Sequence, residues 1–127
     1  MKETEKIEIM HFSQEGYLED GKNVYETGKK MIELADKVAD EGYDAVFLMG
    51  VGGTWDELMQ LEYLMNKFGD RDLEVYLIHA AEWNAMGHKR MTEKSVVITA
   101  SESGTTPEVL EAVKKMKGMG VRVYAMT

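Results

Sequence analysis

Hydrophobic residues along this chain fall into two kinds of pattern: short unbroken runs, and longer stretches in which apolar residues recur every three or four positions. An unbroken apolar run is typical of a strand buried on both faces of a sheet, whereas the wider spacing is typical of a helix with one buried face. The apolar runs predict strands at 45–49 and 96–100, and two largely apolar segments, each with one charged residue, predict strands at 73–78 and 121–126. The helical spacing predicts helices at 23–41, 54–68, 82–90 and 106–117.

The predicted order is one helix followed by strands that alternate with helices, which indicates an α/β fold with a parallel sheet. Because crossovers are right-handed, few arrangements remain, and we expect a three-layer αβα sandwich with a flavodoxin-like sheet. Only Thr127 follows the fourth predicted strand, so we expect that strand at an open sheet edge and the fold to be truncated there. Residues 21–127 are assigned to this domain. Residues 1–20 are assigned to an N-terminal arm that either packs on a partner or forms a helix, and Asp20-Gly21 is typical of a turn.

Composition narrows the class of protein. The chain has 127 residues, of which 44% are hydrophobic and 30% charged, as expected of one soluble globular domain. It has no cysteine, which excludes disulfides and thiolate metal sites and favours a cytoplasmic location. The formal charge of −8 argues against partners such as nucleic acid or an anionic membrane. The three histidines lack the spacing of metal ligands, so we expect no metal, and we expect no cofactor.

Two loops carry the residue types that bind anions. Residues 50–54, a glycine-rich segment that ends in Thr54, follow the first predicted strand, and residues 101–106, rich in hydroxyls, follow the third. Each loop leads into a helix, whose first N–H groups and positive dipole end suit a phosphate. In a flavodoxin-like sheet the ends of the first and third strands meet at the point where the winding reverses. We therefore predict that the two loops form one anion site.

These loops do not fit two common nucleotide-binding motifs, but a purely structural interpretation of them remains open. A dinucleotide fingerprint would need a glycine where Trp55 stands, and a Walker loop would need a G-K-[ST] sequence that is absent. A purely structural interpretation has Thr54 and Glu57 as a capping box and Thr106 as the cap of the next helix. Spacing alone does not decide between capping and ligand binding.

The hydroxyl-rich loop also resembles a family signature. Residues 101–108 match the S-x-S-G-x-T-x-E pattern of the sugar isomerase (SIS) domain. Gly52-Gly53-Thr54 resembles the first loop of that family, Ala81-Glu82-Trp83 its small-Glu-aromatic segment, and residues 120–127 its following strand. The resemblance runs from about residue 45 to 127. It is strongest to the first half of double-domain enzymes, namely the isomerase half of glucosamine-6-phosphate synthase and the deglycases of fructosamine 6-phosphates.

This resemblance implies a domain that binds a phosphosugar, a carbohydrate derivative. The implied binding residues are those of the two loops: Gly53, Thr54, Ser101, Glu102, Ser103 and Thr106. An acid beside a phosphate is unfavourable, so Glu102 is expected to point away or to contact sugar hydroxyls. In double-domain enzymes the acid and base come largely from the second half, so the catalytic residues here are unknown and this chain alone is expected to be inactive. The implied partners are a small sugar phosphate and either a second SIS domain or a second copy in a homo-oligomer.

Two alternatives to an isomerase or deglycase domain remain: a non-enzymatic sugar-phosphate sensor, and an interaction fragment with a vestigial site. Among other candidates for chemistry, His79 ends the second strand and is expected to be a structural histidine, with catalysis as the alternative. His88 is expected in a solvated turn, and His11 lies in the N-terminal arm. Glu82 is expected to be an acid that favours a helix start.

Overall fold

The protein folds around a four-stranded parallel sheet, as seen in a computed structural model that describes residues 13–70 and 72–127. The elements in chain order are α1 (Gln14–Glu41), β1 (Val46–Gly50), α2 (Gly53–Phe68), β2 (Val75–His79), α3 (Ala80–Met86), β3 (Val96–Ala100), α4 (Pro107–Gly118) and β4 (Arg122–Met126). The chain divides into two units, one ending at Glu41 and the other running from Gly42 to Thr127. The sheet and all elements after α1 belong to the second unit.

The strand order is β2-β1-β3-β4, with every neighbouring pair parallel. Val46 of β1 lies beside Val75 of β2 on one side and beside Val96 of β3 on the other. This is the flavodoxin-like order, so the predicted fold class is confirmed. The winding reverses between β1 and β3, and their carboxyl ends therefore lie next to each other at one edge of the sheet.

Both faces of the sheet are covered, which explains why β1 is an unbroken apolar run. Successive side chains of a strand point to opposite faces. Phe47 and Met49 pack in the cluster that contains Met116 of α4, while Leu48 packs in the cluster that contains Leu58 of α2. Phe47, Leu48, Met49 and Met116 are fully buried. The helices α3 and α4 thus lie on one face and α2 on the other, giving the three expected layers.

The first helix starts earlier than predicted, at Gln14 rather than at residue 23. The hydroxyl of Ser13 accepts the Gly16 N–H at 3.1 Å, which caps the helix upstream of the predicted start. The Asp20-Gly21 turn prediction is wrong, because α1 continues through both residues. A glycine in a helix costs only about 1 kcal/mol, so a local turn preference of this kind is readily overridden. The predicted boundary at residues 20/21 falls inside α1, and the earliest part of the predicted arm, including His11, lies outside the described residues.

Asp44 ties together the end of the sheet opposite the β1 and β3 carboxyl ends. Its carboxylate accepts hydrogen bonds from the hydroxyls of Thr92 and of Ser95, the latter at 2.9 Å. Desolvation acts to raise the pKa of Asp44, but these hydrogen bonds outweigh it and hold the pKa below its ordinary value. The segment before β1 is thereby fixed to the segment before β3. Within the described part of the chain, no helix is both long and apolar enough to cross a membrane.

Candidate functional site

An open cleft of about 780 Å³ lies at the carboxyl ends of β1, β3 and β4. It brings together the two loops that the sequence singled out. The residues that line it are Val51, Gly53, Thr54, Glu57, Ala100, Ser101, Glu102, Ser103, Thr106, Met126 and Thr127. All six residues named from the sequence are in this set, so the structure places them in one cleft; their role in binding stays a prediction.

The loop between β1 and α2 is tight because Gly50 has no side chain. A Cβ at Gly50 would lie 2.8 Å from the backbone nitrogen of Trp55 and 3.0 Å from the hydroxyl of Thr54. The Thr54 hydroxyl donates a hydrogen bond to the Val51 carbonyl at 3.0 Å. The same hydroxyl accepts one from the Val51 N–H at 3.3 Å. A hydroxyl has one proton, so that of Thr54 is committed within the loop. In this conformation Thr54 offers a ligand its backbone rather than a hydroxyl donor.

The predicted capping box of Thr54 and Glu57 is wrong. The helix α2 begins at Gly53, its N-cap is Gly52, and no side chain caps its first turn. Thr54 lies inside the helix, with its hydroxyl bonded to Val51, and so cannot serve as the cap. Two consequences follow. The first-turn N–H groups of α2 lack a side-chain acceptor, and the carboxylate of Glu57 is left to line the cleft.

The loop between β3 and α4 is organised by Ser101, which is 7% exposed. Its N–H donates to the carbonyl of Met126 at 3.0 Å, and its hydroxyl accepts the Gly104 N–H at 3.1 Å. The Ser101 and Thr106 hydroxyls are 3.0 Å apart and share a hydrogen bond. Gly104 has a φ of 64°, a left-handed conformation that favours glycine. The loop is thus fixed to β4 and to the start of α4.

Thr106 occupies the N-cap position predicted for it, but its hydroxyl does not cap the helix. That hydroxyl bonds Ser101 instead, and Pro107, at the first helical position, has no N–H to donate. The next N–H groups of α4, at Glu108 and Val109, therefore have no side-chain cap. Both helices that start at the cleft present uncapped N–H groups, an arrangement suited to an anion.

The hydroxyls of the β3–α4 loop retain donor capacity. The Ser103 hydroxyl accepts the N–H of Thr105 at 3.2 Å and its hydroxyl at 3.0 Å, which leaves the Ser103 proton free to donate. Of the Ser101–Thr106 pair, one hydroxyl donates to the other, so one proton remains for a ligand. This loop therefore supplies side-chain donors that the β1–α2 loop does not.

Among the described residues, the charged side chains that line the cleft are both acids, Glu57 and Glu102. None of the described lysines, arginines or histidines lines it. The donors available to an anion in this cleft are backbone N–H groups and hydroxyls, and their use in binding stays a prediction. Glu57 was missed as a site residue because capping accounted for it. Its spacing of four from Gly53 places it on the same helix face, and that spacing could have revealed it.

The other candidates for chemistry lie outside the cleft lining. The ring of His79 packs edge-on against Trp55, with centroids 6.4 Å apart, and Glu82 is exposed in the first turn of α3. The expectation for His88 is wrong: it is half-buried against Phe47 at 5.0 Å and Tyr76 at 4.8 Å between ring centroids. Among the described residues, no group of three or more His, Asp or Glu side chains could hold a metal ion.

Comparisons with known proteins agree with this fold. The chain is 26% identical over 124 residues, 96% of its length, to the glutamine–fructose-6-phosphate aminotransferase (isomerizing) of Pyrococcus horikoshii. It is 31% identical over 84 residues, 66% of its length, to the fructosamine deglycase FrlB of Bacillus subtilis. The chain spans only 20% and 25% of the lengths of these two relatives. No family model matches it.

Two solved structures share the fold. A protein of Salmonella typhimurium assigned as a phosphosugar isomerase superposes with a TM-score of 0.67 at 22% identity, covering 73% of this chain and 28% of that one. A Bacillus subtilis protein with the same assignment gives 0.66 at 28% identity, covering 72% and 29%. Fold and cleft together define a doubly wound α/β domain with a cleft at its switch point. Taken together, the relatives support the resemblance of this chain to the sugar isomerase (SIS) domain family.

Proposed function

We propose that this chain is the phosphosugar-binding domain of a sugar-phosphate isomerase or of a fructosamine-6-phosphate deglycase. The observation that carries the proposal is the meeting of two uncapped helix starts and three hydroxyls in one cleft. The comparisons also support the proposal, because the relatives named above are an isomerizing aminotransferase and a fructosamine deglycase. A volume of about 780 Å³ lies within the ~300–1,000 Å³ typical of small-molecule sites.

The two loops take different parts in the proposed binding. The β1–α2 loop supplies backbone N–H groups at Gly53 and Thr54, because the Thr54 hydroxyl is occupied. The β3–α4 loop supplies donors from Ser101, Ser103 and Thr106. These groups are neutral donors fixed before the ligand arrives, so they hold a phosphate without a lysine or arginine.

Catalysis needs groups that this cleft does not supply. Moving a proton next to a sugar carbonyl requires a base and an acid within hydrogen-bond reach of the reacting atoms. Glu57 and Glu102 are the titratable side chains in the lining. We propose that the chemistry depends on a second SIS domain, either from further sequence of the kind that the longer relatives possess or from another copy of this chain. The 127-residue chain is then expected to bind phosphosugars without turning them over.

Ligand-induced stabilisation tests the proposed function. Thermal unfolding and calorimetry would be measured with fructose 6-phosphate, glucosamine 6-phosphate and inorganic phosphate. A ligand at a hundred times its Kd stabilises the folded state by about 2.7 kcal/mol, a shift of roughly 10 °C for a domain of this size. The double variant Ser103→Ala with Thr106→Ala should lose this shift.

Thr27→Ala is the control, because it removes an exposed hydroxyl that does not line the cleft. It should respond to ligand like the unmodified chain. If a folded chain is stabilised by none of the three ligands, the proposal is wrong. An equal response in the double variant would also contradict it, since binding would then occur elsewhere.

A further inference from the structure

We propose that two copies of this chain pair through α1, along an apolar stripe that repeats every seven residues. Each repeat contributes two adjacent large apolar residues and one small residue. Together they form the heptad stripe: Tyr17, Leu18, Gly21, Val24, Tyr25, Gly28, Met31, Ile32 and Ala35. The inference goes beyond the proposed function, because it assigns an interaction surface and a partner that do not depend on what the cleft binds.

The sequence of α1 repeats strictly over three heptads. Residues 17–23, 24–30 and 31–37 each begin with two large apolar residues, continue with a glutamate and place glycine or alanine at the fifth position. All three lie within one continuous helix, Gln14–Glu41. Because an α-helix has 3.6 residues per turn, a strict repeat of seven keeps its apolar stripe in register only against another helix that winds around it. The repeat therefore indicates a helical partner along the length of α1.

The large side chains of the heptad stripe lie at the surface. Their exposed fractions run from 38% at Met31 to 72% at Val24. A contiguous apolar surface of this length is typical of an interaction site. With roughly 100 Å² of exposed area on each of the six side chains, one stripe offers about 600 Å² and two stripes about 1,200 Å², which reaches the size of a stable interface. A second copy of α1 thus supplies enough area.

Each glycine of the heptad stripe forms the floor of a hollow. Neighbours on a helix surface are three and four residues apart, so four large residues surround Gly21. The four are Tyr17, Leu18, Val24 and Tyr25, and with Gly21 they line most of an open hollow of about 650 Å³. The same spacing surrounds Gly28 with the large residues of the second and third repeats.

The glycines have no role in packing within the described part of the chain. A Cβ built on Gly21 or Gly28 would meet no neighbouring atom of that part within 4 Å, apart from the helix backbone itself. Both residues are helical, and glycine is one of the least favourable residues inside a helix. The close approach of another backbone is a physical reason to have glycine at these positions.

A second copy fits this surface because the heptad stripe is complementary to itself. A two-fold symmetric pair uses the same surface on both partners. The stripe carries large side chains and hollows side by side, so the large residues of one copy can enter the hollows of the other. The glutamates of the repeat, Glu19, Glu26 and Glu33, lie on the opposite side of the helix from the small residues. They therefore do not oppose pairing, although the formal charge of the chain is −8.

Sedimentation equilibrium of the 127-residue chain, without ligand, tests the pairing. The unmodified chain should be a dimer with a Kd in the micromolar range or below. The double variant Val24→Lys with Ile32→Lys places four ammonium groups in the interface and should weaken association by at least about a hundredfold. Asn23→Lys with Glu33→Gln is the control, because it makes the same change of charge on the opposite side of α1. It should associate like the unmodified chain.

Gly28→Leu tests the close approach of the two helices. Leucine favours a helix more than glycine does, so α1 itself should not be weakened. The added side chain fills the hollow, and association should weaken by about tenfold. Equal or tighter association of Gly28→Leu would overturn the close pairing of the two stripes.

The outcomes address the pairing and not the cleft. A monomer at about 100 μM overturns the proposal, as does a dimer that persists in Val24→Lys with Ile32→Lys. Equal weakening in the control variant would show an effect of net charge and would also overturn it. Circular dichroism checks that each variant keeps its helices, and the fluorescence of Trp55 and Trp83 checks that the Gly42–Thr127 unit stays folded. Because no sugar phosphate is present, each of these results leaves the proposed function of the cleft unchanged.

Discussion

Replacing Gly50 with alanine should disrupt the cleft from within the sheet. Gly50 is the last residue of β1 and is buried, and its missing side chain is what lets α2 begin so close to the strand. The added Cβ would lie 2.8 Å from the nitrogen of Trp55, 3.0 Å from the carbonyl carbon of Thr54 and 3.0 Å from the Thr54 hydroxyl. Two of these three atoms are backbone, so the clash cannot be relieved by a change of rotamer alone.

The size of the effect follows from the geometry. Overpacking of a buried site costs about 1–3 kcal/mol, and contacts to backbone put Gly50→Ala in the upper half of that range. With a urea m-value of about 1–2 kcal/mol/M, the unfolding midpoint should fall by about 1–3 M. The fluorescence of Trp55 and Trp83 would report it, since both tryptophans belong to the Gly42–Thr127 unit.

Gly53→Ala is the matched control, three residues further along. A Cβ there meets no atom within 4 Å, and the residue is helical. Alanine should therefore raise the free energy of unfolding by about 0.5–1 kcal/mol. If the phosphate approaches the backbone at this point, the same variant should bind phosphate more weakly while being more stable. A midpoint for Gly50→Ala equal to that of the unmodified chain would refute the argument from close approach.

The remaining predictions concern the stability of the sheet. Met116→Ala removes a fully buried side chain from the cluster between the sheet and α4, and it should lower the free energy of unfolding by about 2–5 kcal/mol in urea titrations; a change below about 1 kcal/mol would contradict the packing described. Because the folded pKa of Asp44 is lowered, its contribution to stability should be present above pH 3.8, its unfolded value, and be lost as the pH falls through the folded value. Asp44→Asn should abolish this part of the acid dependence, and an unchanged acid profile would show that the hydrogen bonds from Thr92 and Ser95 do not stabilise the charged form.

The meeting of the two loops could be predicted because it depends on topology. An unbroken apolar run signals a strand whatever its neighbours are, and alternation with helices restricts the order of strands. Once β1 and β3 are neighbours, the loops that follow them must share one edge. No property of an individual side chain enters that argument. It therefore held even though the expected ends of several elements differed from those observed.

Details that rest on one hydrogen bond could not be predicted. Thr54 can cap a helix or bond to its own loop, and a capping hydrogen bond is worth only about 1 kcal/mol, so local sequence does not decide between the two. Because Thr54 bonds to Val51 instead of forming a capping box, the carboxylate of Glu57 lines the cleft. Likewise, His88 beside Lys89 and Arg90 suggested a solvated turn. Its packing against Phe47 and Tyr76 depends on residues distant in sequence.

In the proposed binding of a phosphate, the two loops of the cleft contribute different kinds of donor. The β1–α2 loop gives a rigid backbone surface, because close packing at Gly50 and the bond between Thr54 and Val51 fix it. The β3–α4 loop gives side-chain protons that can reorient, at Ser103 and in the Ser101–Thr106 pair. Neutral donors attract a phosphate less strongly than a lysine would, so the proposed anchoring depends on how closely the two loops fit the ligand.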